Sequence, residues 1–250
     1  MTSTLDQTEP AAARVARPVG TVLVTGAASG LGRAVAQAVL AAGGRPLLLD
    51  RVDCRDVIGP DLADAPTVVA DLADARGAEQ AVAELAGRAG GLDGVVTAAG
   101  IDRCGRLEDV PGAEWDQVVQ VNLVGTAAVI RGALPRLRES RGRIITVAST
   151  LGLRALSDAS AYCASKFGVI GLSRALATEL AGEVGLSLLI PGGMDTAFFD
   201  GRTEQYRPGP DAQLNDPANV ADAVLFALSR PEGCEVREMV VAASTEPSWP

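Results

Sequence analysis

Short apolar runs recur along the chain and divide it into a regular alternation. TVLVT, PLLLD, TVVAD, DGVVTAAG, RIITVAS, LSLLIPG and EMVVA are almost continuously hydrophobic, as strands buried on both faces of a parallel sheet must be. Between them lie longer stretches with apolar residues at helical spacing, and SAYCASKFGVIGLSRALATELAG contains no proline. Seven strands alternating with helices predict an α/β fold: a single-domain Rossmann fold with a doubly wound, seven-stranded parallel sheet and right-handed crossovers. A chain of 250 residues with 48% hydrophobic content can bury a substantial core as one domain, placed here at 21–250. Residues 1–20 are polar or Ala/Pro-rich without periodicity and are expected to form a disordered tail. They lack the basic start and apolar stretch of a signal peptide, and no apolar run approaches the length of a membrane span.

The first two apolar runs bracket a candidate nucleotide site. TVLVTGAASGLGRAVAQAVLAAGGRPLLLD reads as strand, glycine-rich turn, Ala-rich helix and second strand. Gly26 permits the tight turn, Gly30 lets the backbone approach a pyrophosphate, and Gly32 lets helix and strand pack closely. The free N–H groups at the helix N-terminus would hold the phosphates. Asp50 closes the second strand, where a carboxylate accepts both ribose hydroxyls of NAD and repels a 2′-phosphate. Arg51 could instead pair with the phosphate of NADP, so NAD is the preferred reading rather than the sole one.

The chain has no histidine, so acid–base chemistry near neutral pH must come from another side chain. Tyr162 and Lys166 in YCASK stand four apart on a helix and share a face, so the ammonium could lie beside the phenol and favour its ionised form. A lone tyrosine titrates near ~10 and needs that help. Ser149 falls at or just past the end of the RIITVAS strand, on the sheet edge where ligands of parallel α/β folds bind.

These motifs together resemble the short-chain dehydrogenase/reductase family, in its compact form, over nearly everything from Thr21 onward. TGAASGLG matches the family's TGxxxGxG turn, VVADL its acidic strand end, VNLVG, Ser149 and YCASK its catalytic tetrad, and PGGMDT its PGxxxT segment. The resemblance implies catalysis by Asn122, Ser149, Tyr162 and Lys166. Tyr162 would exchange the proton, Ser149 would hold the substrate oxygen, Lys166 would also bond the nicotinamide ribose, and Asn122 would hold a relay water. The implied cofactor contacts are Gly26, Ala28, Ser29, Gly30, Leu31 and Gly32, then Asp50 and Arg51, Asp71 and Leu72 at the adenine, and Ala98, Ala99 and Gly100. Tyr162 and Lys166 join them, with Pro191, Gly192, Met194 and Thr196 at the nicotinamide. The family's NNAG is TAAG here, which removes two amide side chains while keeping the turn, and the C-terminus lacks the usual Asp-Gly-Gly.

Composition narrows the partners. A net charge of −9 argues against sequence-independent binding to nucleic acid or anionic membrane. Cys54, Cys104, Cys163 and Cys234 have neither CxxC nor metal spacing, so no metal site is expected, and the absence of a disulfide framework fits a cytoplasmic protein. The segment 193–216 is long, and Phe198, Phe199 and Tyr206 give it three of the chain's eight aromatics. It reads as an apolar lid, with Phe198 and Phe199 against a substrate that Ser149 and Tyr162 also touch, or else as a loop pinned to the surface. The resemblance further implies a homodimer or homotetramer built on the helices near 114–137 and 160–181. The leading expectation is an NAD-dependent oxidoreductase acting on a small-molecule secondary alcohol or ketone. An NADPH-preferring ketoreductase and a non-catalytic NAD-sensing protein are the other readings.

Overall fold

The computed structural model describes residues 16–249. Seven strands, β1 (Thr21–Thr25), β2 (Arg45–Asp50), β3 (Thr67–Val69), β4 (Gly94–Thr97), β5 (Arg143–Val147), β6 (Gly185–Pro191) and β7 (Glu238–Val241), form one sheet in the order β3-β2-β1-β4-β5-β6-β7. Every pairing is parallel. The order reverses between β1 and β4, which opens a crevice at their C-terminal ends, the place where such sheets bind ligands. All seven apolar runs are strands, because β1, β2, β4, β5 and β6 are covered on both faces and carry almost no polar alternation.

Helices α1 (Gly30–Ala41) and α6 (Pro217–Leu228) cover one face. Val22, Val24, Leu48, Val96 and Ile145 pack there beneath Val35, Val39, Val220 and Val224. The other face carries α2 (Ala75–Ala89), α4 (Thr126–Ser140) and α5 (Ser160–Glu179), with α3 (Gly112–Val119) packed on α5. Alternate residues of the same strands, Leu23, Leu47, Leu49, Val95 and Ile144, form the core on that side with Val82, Leu85, Val129 and Leu137. Asp74 caps α2 by accepting from Gly77 N–H at 3.0 Å, and Asp216 caps α6 by accepting from Ala218 N–H at 2.8 Å ahead of Pro217.

Two features differ from the sequence expectation. α3 runs into α4 through a π-helical turn, Gln120–Gly125, so Gly112–Ser140 is one helical run of 29 residues, with an 18-residue stretch of mean hydropathy 1.3. That stretch is apolar enough for a membrane span, but more than half of it is buried within the protein, as in a core helix. The expected tail falls mostly outside the described residues, yet its last part is attached. Arg17 donates from its backbone N–H to Ser229 O at 2.9 Å, and its guanidinium donates to the carbonyls of Arg141 and Ser140.

Candidate active site

The glycine-rich turn is built by contacts that exclude side chains. Gly26 (φ +68°) lies so close to the turn after β4 that a Cβ would come within 2.9 Å of Ala99 Cα. A Cβ on Gly32 would stand 2.2 Å from the Gly26 carbonyl oxygen, which is how α1 approaches β1. Gly30 (φ +51°) faces Thr196, whose side chain a Cβ would meet at 3.4 Å. The two segments expected at opposite ends of a dinucleotide therefore approach each other. Ser29 is the N-cap of α1 yet its hydroxyl bonds none of the N–H groups of the first turn, and that turn, with Leu31 buried, holds no acidic residue. The helix start is left as an uncompensated donor set suited to an anion.

Asp50 ends β2 and reaches back to this turn. Its carboxylate accepts from Ala28 N–H at 3.1 Å and from Val52 N–H at 3.3 Å. Arg51 is exposed beside it. Beyond β3, Asp71 accepts from Ala73 N–H at 2.9 Å, and Leu72 is buried against Gly125, where a Cβ would lie 2.7 Å from Leu72 Cβ. In the turn after β4, Ala99 N–H donates to Thr25 Oγ1 at 3.1 Å, and a Cβ on Gly100 would lie 3.4 Å from Asn122 Oδ1 and 3.7 Å from Lys166 Nζ. Ala98 packs against the core on the α1 side. Thr97, where the resembling family has asparagine, buries a hydroxyl that has no hydrogen-bond partner among the described residues.

Ser149, Tyr162 and Lys166 converge past the end of β5. Lys166 is buried, 4% exposed, and donates from Nζ to Val147 O at 2.9 Å. The same ammonium lies 5.5 Å from the centre of the Tyr162 ring, as the four-residue spacing implies. Ser149 Oγ accepts from Leu151 N–H at 3.2 Å, which fixes the side chain at the start of a short 3-10 turn. The electrostatics depart from expectation. Burial pushes the Tyr162 phenol well above the ordinary tyrosine range, and the Ser149 hydroxyl pulls it down without reversing the shift. Burial also lowers Lys166 from 10.5 to about 8, so near neutrality its charge is retained by a narrow margin. Lys166 is the only lysine in the chain, a signal the sequence carried as plainly as the missing histidine.

Asn122 sits in the π-helical turn, almost fully buried. Its amide nitrogen donates to Ile101 O at 2.9 Å and to Ser165 Oγ at 3.0 Å, and its oxygen accepts from Ile101 N–H at 2.8 Å. Ser165 in turn donates to the Tyr162 carbonyl at 2.8 Å. Both amide hydrogens are engaged by protein groups, so the side chain acts as a brace between the TAAG turn and α5 and has no donor left for a water.

Pro191 ends β6, and Gly192 N–H donates to Val241 O at 3.0 Å. Met194 packs on the α1-side core, and Thr196 Oγ1 accepts from Phe198 N–H at 3.4 Å. Phe198 lies 5.7 Å from Tyr162, ring centre to ring centre, and Phe199 stands edge-on to Phe198 at 5.6 Å without itself reaching Tyr162. Sequence reasoning missed the C-terminal segment. Glu246 accepts from Gly193 N–H at 2.7 Å and from Ser248 N–H and hydroxyl at 3.1 and 2.5 Å, while Ser248 meets Thr150, the neighbour of Ser149, at 2.6 Å. Among the described residues no group of histidine, cysteine or acidic side chains could hold a metal ion.

Comparison with known proteins gives concordant results. Residues 20–207 match the family model described as short chain dehydrogenase. An uncharacterised oxidoreductase of Staphylococcus aureus strain MW2 is 32% identical over 224 residues, covering 88% of this chain and 95% of the relative. An alcohol dehydrogenase from the archaeon Thermococcus sibiricus, solved with 5-hydroxy-NADP, superposes with a TM-score of 0.78 at 25% identity, covering 89% of this chain and 95% of that one. The ligand-free aldohexose dehydrogenase of Thermoplasma acidophilum also gives 0.78, at 26% identity and 89% and 92% coverage.

Proposed function

Since the chain belongs to the short-chain dehydrogenase family, we propose that it interconverts a secondary alcohol and a ketone with NAD, Tyr162 exchanging the proton. The observation that carries this reading is the convergence of Ser149, Tyr162 and Lys166 beside the glycine-rich turn, at the open edge of the sheet. Family membership makes the protein an oxidoreductase; substrate and cofactor preference belong to this proposal.

The residues fit a dinucleotide. The uncompensated N–H groups after Ser29 suit a pyrophosphate, and Gly26, Gly30 and Gly32 leave room where any side chain would intrude. Asp50, anchored through Ala28 and Val52, presents a fixed negative charge where a ribose would lie. This favours NAD over NADP, while exposed Arg51 and the NADP analogue held by the archaeal relative favour the alternative, an NADPH-preferring ketoreductase. When bound, the cofactor supplies the nicotinamide that accepts or gives the hydride.

The chain's own groups handle the proton. Ser149 holds the substrate oxygen and stabilises charge that develops there. Burial favours the neutral phenol of Tyr162, the form that donates to a carbonyl in the reductive direction. Lys166 is the ammonium against the ring that would offset the phenolate in the oxidative direction. The segment 193–216 acts as a lid whose Phe198 and Phe199 offer an apolar wall. Exposed Val124 and Phe167, on the helical runs the family pairs across subunits, support a homo-oligomer, and a cytoplasmic location completes the reading.

A panel of secondary alcohols and ketones, run with NAD(H) and NADP(H), tests the proposal. Tyr162→Phe should abolish turnover and keep cofactor binding, and Asp50→Ala should weaken NAD selectively. Turnover retained in Tyr162→Phe would remove the tyrosine from its role.

A further inference from the structure

Asp102 follows the TAAG turn by two residues, and Arg202 follows the Phe198–Phe199 pair. Separated by 100 positions, they form an ion pair at 2.6 Å, Arg202 Nη2 to Asp102 Oδ2. The Asp102 side chain is 4% exposed and that of Arg202 18%. Of the thirteen ion pairs among the described residues it is the most deeply buried, and the other twelve lie on more accessible surface.

The rest of the arrangement fixes both partners. Asp102 Oδ1 accepts from Arg103 N–H at 2.7 Å, and the Cys104 thiol donates to Oδ2 at 3.2 Å. The guanidinium of Arg202 lies over Phe198 and Phe199, 5.1 and 4.6 Å from their ring centres, and donates to Tyr206 O at 3.3 Å. Phe198 in turn lies on Tyr162. At the base, the segment is tied by Asn215 N–H to Gly193 O and Asp195 N–H to Asn215 O, both at 2.9 Å.

We infer that the Asp102–Arg202 pair is a latch that holds the Phe198–Phe199 segment over Tyr162, so that both are positioning residues of the substrate site. The base ties keep the two ends of the segment together but do not determine where its aromatic stretch rests. Arg202 does, because it is stacked on the two rings and bonded to the opposite wall of the crevice. Opening the segment separates a buried ion pair, and removing one partner strands the other charge. The latched roof presents phenyl rings, and its two charges neutralise each other. The group beside the reacting carbon is therefore apolar and uncharged, since neither charge of the pair is left free to receive an ion.

The inference takes its consequence for turnover from the proposed role of Tyr162, so its test reads the covering of the ring instead. In a Tyr206→Phe background Tyr162 is the sole tyrosine, and nitration by tetranitromethane reports its accessibility. Asp102→Asn and Arg202→Gln should each raise the nitration rate roughly tenfold or more, as Phe198→Ala does, with Arg202→Lys between them and wild type. Glu-C cleavage after Glu204 should accelerate in the same latch variants at a temperature well below the melting transition of each. If Asp102→Asn fails to fold, the Arg202→Lys protein decides. Nitration raised by Phe198→Ala but not by the latch variants overturns the inference and leaves the proposed function standing. Turnover surviving in Tyr162→Phe, with latch-dependent nitration intact, does the reverse.

Discussion

Asn122 grips Ile101 by both polar groups of its backbone, accepting from the N–H at 2.8 Å and donating to the carbonyl at 2.9 Å. A side-chain amide pairs here as a strand neighbour would. The second amide hydrogen, on Ser165, carries the connection to the Tyr162 carbonyl. One asparagine thus ties the TAAG turn to α5.

Asn122→Ala leaves both polar groups of Ile101 without that partner, at about 1–2 kcal/mol for each of these partly buried groups. Urea denaturation should show a loss of about 2–4 kcal/mol, and turnover should fall through kcat more than KM. Asn122→Asp should be worse, because a carboxylate oxygen would then face the Ile101 carbonyl.

Glycine replacements should separate by what a Cβ would meet. Gly32→Ala drives a methyl group into the Gly26 carbonyl, 2.2 Å away, so calorimetry should show cofactor binding lost and stability reduced by about 1–3 kcal/mol. Gly87→Ala, in α2 with nothing within 4 Å of the new Cβ, should stabilise the protein by about 0.5–1 kcal/mol through helix propensity.

Lys166 gives a titration that can be read alone. With one lysine in the chain, ¹⁵N-lysine NMR yields a single side-chain resonance, and its midpoint in the cofactor-free protein should fall near pH 8 in place of 10.5. A lowered value means that the unfolded chain holds the proton longer, so the Lys166 contribution to stability should rise as pH climbs from about 8 through 10.5. It is read as the difference between wild type and Lys166→Met, because the thiols of Cys54 and Cys104, raised by burial to about 11 and about 12, act in the opposite sense above pH 9. The full rise is on the order of 3 kcal/mol, and it should vanish in Lys166→Met.

Glu246 contributes to the acid limb alongside Glu238 and Asp53. Burial raises its carboxyl, but bonds from Ser248 and from Gly193 N–H outweigh this and hold it below the ordinary 4.5. Its contribution is complete above that ordinary value and disappears as pH falls through the lower folded one. Melting temperatures followed downward from neutral pH should therefore drop more steeply for the wild type than for Glu246→Gln.

What the sequence disclosed follows a physical division. Strands such as Ile144 and Ile145 in β5 were legible because burial on both faces erases polar alternation, and the turn Gly26–Gly32 because its chemistry is local. Ser149, Tyr162 and Lys166 were legible from a helix period and a strand end. The Asp102–Arg202 pair was not, since no local period connects residues 100 positions apart. Nor was the C-terminal brace of Glu246 and Ser248, which becomes a contact only once β7 has delivered the chain to the site. The direction of the Tyr162 shift was inverted, because spacing reports the neighbouring charge but not the desolvation that outweighs it.

The wide turn at Gln120–Gly125 is in effect a phase shift of one residue inside a single long rod. Residues before it pack on α5 and residues after it on α2 and the sheet, so the two halves could not both keep their facing if the helix were uniform. Winding the same residues as a regular α-helix would swing everything downstream by about 100°. Val129, Ala133 and Leu137 would turn away from the core, so the wide winding of this turn is what keeps the second half of the rod seated.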